Sequence, residues 1–137
     1  MRLQRFSQFN RMSTDATVYV VDDDESVRKA LTRMFRISGW HVSAFASGTE
    51  FLDADLPDSP CCLVLDVRMP GLSGLEVQER LHTRDVELPI VFMTAHGDDH
   101  TRERAMNGGA FEFLLKPIVD IELVDTVRRA IQLQLGA

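Results

Sequence analysis

Five short apolar runs alternate along this chain with segments of helical period, and that alternation limits the fold more than any other feature. The runs are Thr17 to Val21, His41 to Phe45, Cys61 to Leu65, Pro89 to Met93 and Phe111 to Leu115. Thr17-Val18-Tyr19-Val20-Val21, rich in β-branched residues, reads as a strand buried on both faces. His41-Val42-Ser43-Ala44-Phe45 reads as a short alternating strand. Between the first two runs, Val27, Ala30, Leu31, Met34 and Phe35 recur at i, i+3, i+4, i+7 and i+8, one apolar stripe of a helix. Gly39 is placed to end it. Ser47-Gly48-Thr49-Glu50 and Ser73-Gly74-Leu75-Glu76 share the spacing of a capping box. They open helices over Phe51 and Leu52, and over Leu75, Val77 and Leu81. A polar, weakly patterned helix is predicted from about Asp98 to Met106, with Asn107-Gly108-Gly109 as its stop. The last helix carries Ile121, Val124, Val127 and Ile131.

Strands alternating with helices imply an α/β fold, a parallel sheet with right-handed crossovers and helices on both faces. In such sheets polar chemistry gathers beyond the carboxyl ends of the strands, near the point where strand order reverses. Asp22 and Asp23 follow the first strand, Asp66 the third, Thr94 the fourth and Lys116 the fifth. All are expected on one edge of the domain, although 94 positions separate Asp22 from Lys116. A length of 137 residues suits one domain. Residues 1–16 show no sustained period and read as a flexible leader before a folded domain over 17–135. Residues 136–137 form the C-terminal end, whose reading as the start of a linker to an output domain rests on a family resemblance.

Fifteen basic against twenty-one acidic residues give a net charge of −6. Arg2, Arg5 and Arg11 stand in the first twelve residues without an acid, so the remainder carries twelve bases against twenty-one acids, or −9. An acidic body of this kind disfavours direct nucleic-acid binding, which needs a clustered basic face. Cys61 and Cys62 are adjacent on a strand, where neighbours point to opposite faces, so no disulfide framework is available and a reducing compartment is expected. No stretch approaches the ~20 apolar residues of a membrane span, and the start has no apolar signal region. A soluble cytoplasmic domain without a membrane partner is the expectation.

Three carboxylates brought together repel and raise one another's pKa unless a cation intervenes. A hard, oxygen-preferring ion suits them, Mg²⁺ best, since it takes one or two carboxylates and keeps positions for water or phosphate. His96 and His100 are four apart but lack a third obvious ligand, and read as solvated. Asp24 and Glu25 read as acids stabilising a helix N-terminus. An aspartate beside such an ion, with the Lys116 ammonium and the Thr94 hydroxyl converging, is a phosphoryl-accepting arrangement in which carboxylate attack on phosphorus gives an acyl phosphate.

Four segments carry a resemblance to response-regulator receiver domains. They are Val20-Val21-Asp22-Asp23-Asp24-Glu25-Ser26-Val27-Arg28, Leu65-Asp66-Val67-Arg68-Met69-Pro70-Gly71-Leu72-Ser73-Gly74-Leu75-Glu76, Met93-Thr94-Ala95-His96-Gly97-Asp98 and Phe113-Leu114-Leu115-Lys116-Pro117. In wording they are similar to regulators of the nitrogen-fixation and nitrate-response type. The resemblance implies a flavodoxin-like (βα)5 three-layer sandwich with a five-stranded parallel sheet in order 2-1-3-4-5. It implies that Asp66 is the phosphoacceptor, charged by a sensor histidine kinase. Asp23, Asp66 and the backbone carbonyl of Arg68 would hold Mg²⁺ (or Mn²⁺), with Asp22 acting through a water. Thr94 and Lys116 would bind the phosphoryl group, and Phe113 would turn inward as Thr94 is drawn to it. Arg68, Ala95 and His96 would tune the lifetime of the acyl phosphate, and the Lys116–Pro117 bond would be cis. The implied partners are the kinase, an output domain controlling transcription, and a second copy in a phosphorylation-dependent homodimer through the face of the fourth helix, fifth strand and fifth helix. Two rivals stand beside this. An aspartyl-phosphatase of the haloacid-dehalogenase type would need an Asp-x-Asp-x-Thr motif, which Asp66-Val67-Arg68-Met69-Pro70 lacks. A binding module with a degenerate pocket would have lost part of the set that is intact here.

Overall fold

Strand β1 (Thr17–Val21) sends Tyr19 and Val21 to one face of the sheet and Val18 and Val20 to the other, and all four are buried. Side chains alternate along a strand, so a run that is apolar throughout requires cover on both sides. The computed structural model, which describes residues 15–56 and 59–136, supplies that cover with helices in two layers. The elements are β1, α1 (Glu25–Ile37), β2 (His41–Phe45), α2 (Gly48–Asp53), β3 (Cys61–Asp66), α3 (Gly74–Thr83), β4 (Ile90–Thr94), α4 (Asp99–Asn107), β5 (Glu112–Leu115) and α5 (Asp120–Gly136). All pairings are parallel, in the order β2-β1-β3-β4-β5. The expected sheet order, 2-1-3-4-5, is therefore the observed one.

One core layer packs Tyr19, Leu63, Leu65, Phe92 and Phe113 of the sheet against α2, α3 and α4 through Phe51, Leu75, Val77, Leu81 and Ala105. The other packs Val18, Val20, Val64, Val91 and Met93 against α1 and α5 through Phe35, Leu123, Val127 and Ile131. Each fully buried Phe or Leu stabilises the fold by about 1.5–3 kcal/mol, so the two layers carry most of the driving force.

Short side-chain acceptors cap four helix starts, of which those at Asp24, Ser47 and Ser73 are predicted. Asp24 caps α1 by accepting the Ser26 N–H at 2.9 Å, and Asp98 caps α4 by accepting the Thr101 N–H at 2.7 Å. Ser73 and Glu76 form both halves of the capping box on α3. At α2 only the Ser47 half forms, with Ser47 Oγ accepting the Glu50 N–H. Gly39 and Gly109 adopt positive φ beyond the ends of α1 and α4.

Several expectations need correction. Ala30 of the expected α1 stripe is exposed, and Phe35 is the stripe's one fully buried side chain. On α5, Ile121 is 77% exposed, and the buried face consists of Leu123, Thr126, Val127, Ala130 and Ile131. Ile121 lies in the first turn, before the helix settles onto the sheet, so the buried face starts later than the apolar period does. Residues 1–14 of the expected leader lie outside the described residues. Ala16, placed in that leader, is fully buried and its carbonyl accepts the His41 N–H, so the folded unit begins earlier. At the other end α5 runs through Gly136, and Ala137 lies outside the described residues.

Candidate functional site

Register brings the polar strand ends together. Val21 pairs with Leu65, Asp66 with Met93, and Thr94 with Leu115. Asp22 and Asp66 therefore leave neighbouring strands at the same level, and Lys116 stands two residues beyond the matching point of β5, Leu114. The Lys116 Nζ donates to Asp22 Oδ2 at 3.0 Å and reaches Asp66 Oδ2 at 3.5 Å. One carboxylate oxygen from each of Asp22, Asp23 and Asp66 lies within 4.8 Å of the others. The Asp22 side chain is 1% exposed and that of Asp66 9%, whereas Asp23 faces solvent. The pocket is thus open on the Asp23 side and closed beneath.

The approach of α3 shapes the Asp66 side. The Gly74 N–H donates to Val67 O at 2.8 Å, and a Cβ on Gly74 would lie 2.4 Å from Asp66 O. Only glycine permits that contact. The Arg68 N–H, in the same loop, donates to Asp66 Oδ1 at 3.3 Å.

Burial raises the Asp66 pKa above the ordinary 3.8, and the Asp22 charge adds to it; the Lys116 charge and the Arg68 N–H offset only part. Burial alone would lower Lys116, but its hydrogen bond and charge pairing with Asp22, and then with Asp66, win and hold its pKa above 10.5. With three carboxylates ionised and one ammonium, the cluster carries −2. The donors are all oxygen. A hard divalent cation therefore fits both the charge and the ligand type.

This balance sets a pH dependence. Because the folded pKa of Asp66 is raised, its contribution to stability is fullest below 3.8 and is lost as pH rises through the folded value. Mg²⁺ at ten times its Kd is expected to stabilise the fold by about 1.4 kcal/mol. The gain should be small in acid and grow as Asp66 ionises. Thermal melts in chelator and in Mg²⁺ across that range check this; equal melting in both at neutral pH would refute it.

The other predicted residues gather at the same edge. Thr94 is 1% exposed, its Oγ1 accepts the His96 N–H at 3.1 Å, and its carbonyl accepts the Lys116 N–H at 2.8 Å. Arg68, Ala95 and His96 are exposed at the rim, and a depression of about 380 Å³ runs between Ala95 to Asp98 and Lys116. The Lys116–Pro117 peptide bond is cis. His96 and His100 are both exposed, and neither belongs to the carboxylate cluster.

Phe113 stands in the core. Its ring is already inside, 4% exposed, 6.3 Å from the Phe92 ring and beneath the Arg102 guanidinium. A phenyl ring has no hydroxyl to keep in water, so burial needs no phosphate to drive it. Sequence reasoning misses Arg28, whose Nη1 donates to Asp22 O at 2.8 Å. Its position four residues after Asp24 is the available signal, but an apolar-stripe reading passes over it. Wider clefts of about 700 and 610 Å³ lie around Leu81, Val86 and Leu88 at the opposite edge, away from the carboxylates.

A five-stranded parallel sheet in this order, with an acidic cluster and a lysine at its carboxyl edge, defines a class of phosphate-handling signalling domain. The chain belongs to the response regulator receiver domain family, which it matches over residues 18–128. It is 52% identical over 115 residues to nodulation protein W of Bradyrhizobium diazoefficiens, covering 84% of this chain and 51% of that protein. It is 40% identical to the transcriptional regulatory protein FixJ of Azorhizobium caulinodans, covering 88% and 57%. Among solved structures it is similar to FixJ-N, at 38% identity and a TM-score of 0.77, covering 86% of this chain and 94% of that one. The chain spans about half the length of the curated relatives it matches. Receiver domains of two-component response regulators are phosphorylated on an aspartate and act as signalling domains rather than ordinary enzymes. Among the described residues, no helix is long and apolar enough to cross a membrane.

Proposed function

We propose that Asp66 is the phosphoacceptor. An Asp66 Oδ attacks the phosphorus of a kinase phosphohistidine, the O–P bond forms, the P–N bond breaks, and the imidazole leaves with the electron pair and takes up a proton. The observation that carries this is the Lys116 ammonium between Asp22 and Asp66, where it meets charge spreading onto the phosphoryl oxygens. Asp23, Asp66 and the Arg68 carbonyl would hold Mg²⁺ (or Mn²⁺), which when bound neutralises that same charge. In this reading Asp22 reaches the ion through water, while its own oxygens accept from the Asp24 N–H and from Lys116. The Thr94 hydroxyl, which now accepts from His96, keeps its own proton to give to a phosphoryl oxygen. Arg68, Ala95 and His96 at the rim control water's access to the acyl phosphate. The same pocket carries out phosphoryl uptake and loss on this chain alone.

The receiver unit comprises residues 17–135 with Ala16 packed beneath it, and works in the cytoplasm, in keeping with the free thiols of Cys61 and Cys62. Its output is the face of α4, β5 and α5. Leu115, Val119 and Ile121 are 57%, 63% and 77% exposed there, an apolar surface suited to a partner. That partner is a second phosphorylated copy, or an output domain for transcription, the latter in line with the names of the relatives. With Phe113 already inside, Thr94 and the loop to α4 are the parts left to move.

Incubation with a small phosphodonor and Mg²⁺, read by intact mass, tests the assignment. The wild-type chain is expected to gain one phosphoryl group and Asp66→Asn none. A phosphoryl adduct on the Asn variant would overturn it.

A further inference from the structure

We propose that Arg28 is a positioning residue for the divalent-cation site, acting through the backbone carbonyl of Asp22 to aim the Asp23 carboxylate toward Asp66. This rests on the metal-assisted phosphoacceptor reading above.

Every polar atom of Asp22 is engaged. Its N–H donates to Phe45 O at 3.2 Å, its Oδ1 accepts from the Asp24 N–H at 2.9 Å, and its Oδ2 accepts from Lys116 at 3.0 Å. Its carbonyl accepts from Arg28 Nη1 at 2.8 Å. By contrast, among the described residues no hydrogen bond or ion pair holds the Asp23 carboxylate, yet one of its oxygens lies within 4.8 Å of those of Asp22 and Asp66. Its aim must come from the backbone. The Asp22–Asp23 peptide is planar, so fixing the Asp22 oxygen fixes the direction of the Asp23 N–H and the place of the Cα from which its side chain starts. Arg28 is well placed to do this. It sits in the opening turn of α1, its own N–H donates to Asp24 O at 3.0 Å, and its side chain is half-buried. A guanidinium is a rigid planar donor.

Two effects of Arg28 on a bound cation have opposite signs, which makes the proposal decidable. Its charge repels a second cation, so removing charge alone would tighten Mg²⁺ binding. Its hydrogen bond orders a ligand, so removing positioning would weaken it. Loss of a group that orients a metal ligand costs about 10–100-fold in affinity.

The experiment titrates Mg²⁺ into the wild-type chain, R28A, R28Q and R28K by calorimetry, with melting in chelator measured alongside. R28A is expected to weaken Mg²⁺ binding about tenfold, and raising Mg²⁺ should recover its labelling rate with a small phosphodonor. R28K, which keeps the charge but not the fork, should fall between R28A and wild type. Affinity in R28A equal to or tighter than wild type overturns the proposal and leaves the phosphoacceptor reading standing. Failure of the wild-type chain to bind Mg²⁺ overturns both. If R28A does not fold in chelator, R28Q, which keeps most of the alkyl stem, is judged by the same criterion.

Discussion

Lys116→Ala is expected to melt roughly 10 °C below wild type in chelator, a loss of about 3 kcal/mol. The ammonium pairs with Asp22, whose side chain is 1% exposed, and with Asp66 at 9%. Deleting it leaves two adjacent carboxylates under cover with no cation between them. Severing a fully buried pair costs about 3–5 kcal/mol; the lower end applies because the lysine side chain is 26% exposed. Titration cannot mimic the deletion in ordinary buffers. The lysine's pKa is raised, so the stability it contributes is fully present below 10.5 and lost only as pH climbs through the higher folded value. Mg²⁺ should recover much of the loss, and adding Asp22→Asn to Lys116→Ala should recover it without metal. Thermal melts of the single and double variants check this. Unchanged melting of K116A, or no recovery in the double variant, would show that the pair does not carry the stability assigned to it.

Gly74→Ala is expected to cost about 2–4 kcal/mol, at and beyond the upper end of the usual range for an overpacking change. A Cβ there would lie 2.4 Å from Asp66 O, 3.0 Å from Val67 Cα and 3.1 Å from Asp66 C. All three are backbone atoms, so no rotamer change relieves the clash. Either α3 backs away from β3, breaking the 2.8 Å bond from the Gly74 N–H to Val67 O, or the end of β3 shifts and carries Asp66 with it. The second route also slows phosphoryl transfer, since a displacement of about 1 Å at a reacting group costs on the order of a hundredfold. Denaturant melts and phosphodonor labelling of G74A separate the two routes. Stability and labelling both equal to wild type would mean that the contact is not as tight as the structure places it.

Much of the molecule was legible in its residues because the signals are local. Three of the five helix starts announced themselves through Asp24, Ser47 and Ser73, each a short acceptor followed by an amide within reach. The sidedness of the site followed from parallel strands alone, since every strand end of one polarity then lies at one edge. The misreadings have a common origin too. Ala30 and Ile121 fit a helical period but face solvent, because a period fixes spacing and leaves the phase to whatever the helix packs on. Arg28 and Gln78 escaped notice because they act on backbone atoms. Gln78, 4% exposed, donates to Ala105 O of α4, and a carbonyl has no letter in the sequence.

Taken alone, the order of residues determined the alternation of strands and helices, the caps, and which side chains gather at the carboxyl edge. These depend on spacing within a few turns of chain, and short-range sterics and hydrogen bonding settle them. Only the tertiary structure decided that Lys116 sits closer to Asp22 than to Asp66, that Arg28 holds the loop bearing Asp23, and that Phe113 rests inside. Those outcomes join groups as far as 94 positions apart, and differences of half an ångström among them are set by register and packing between elements, which no local pattern encodes.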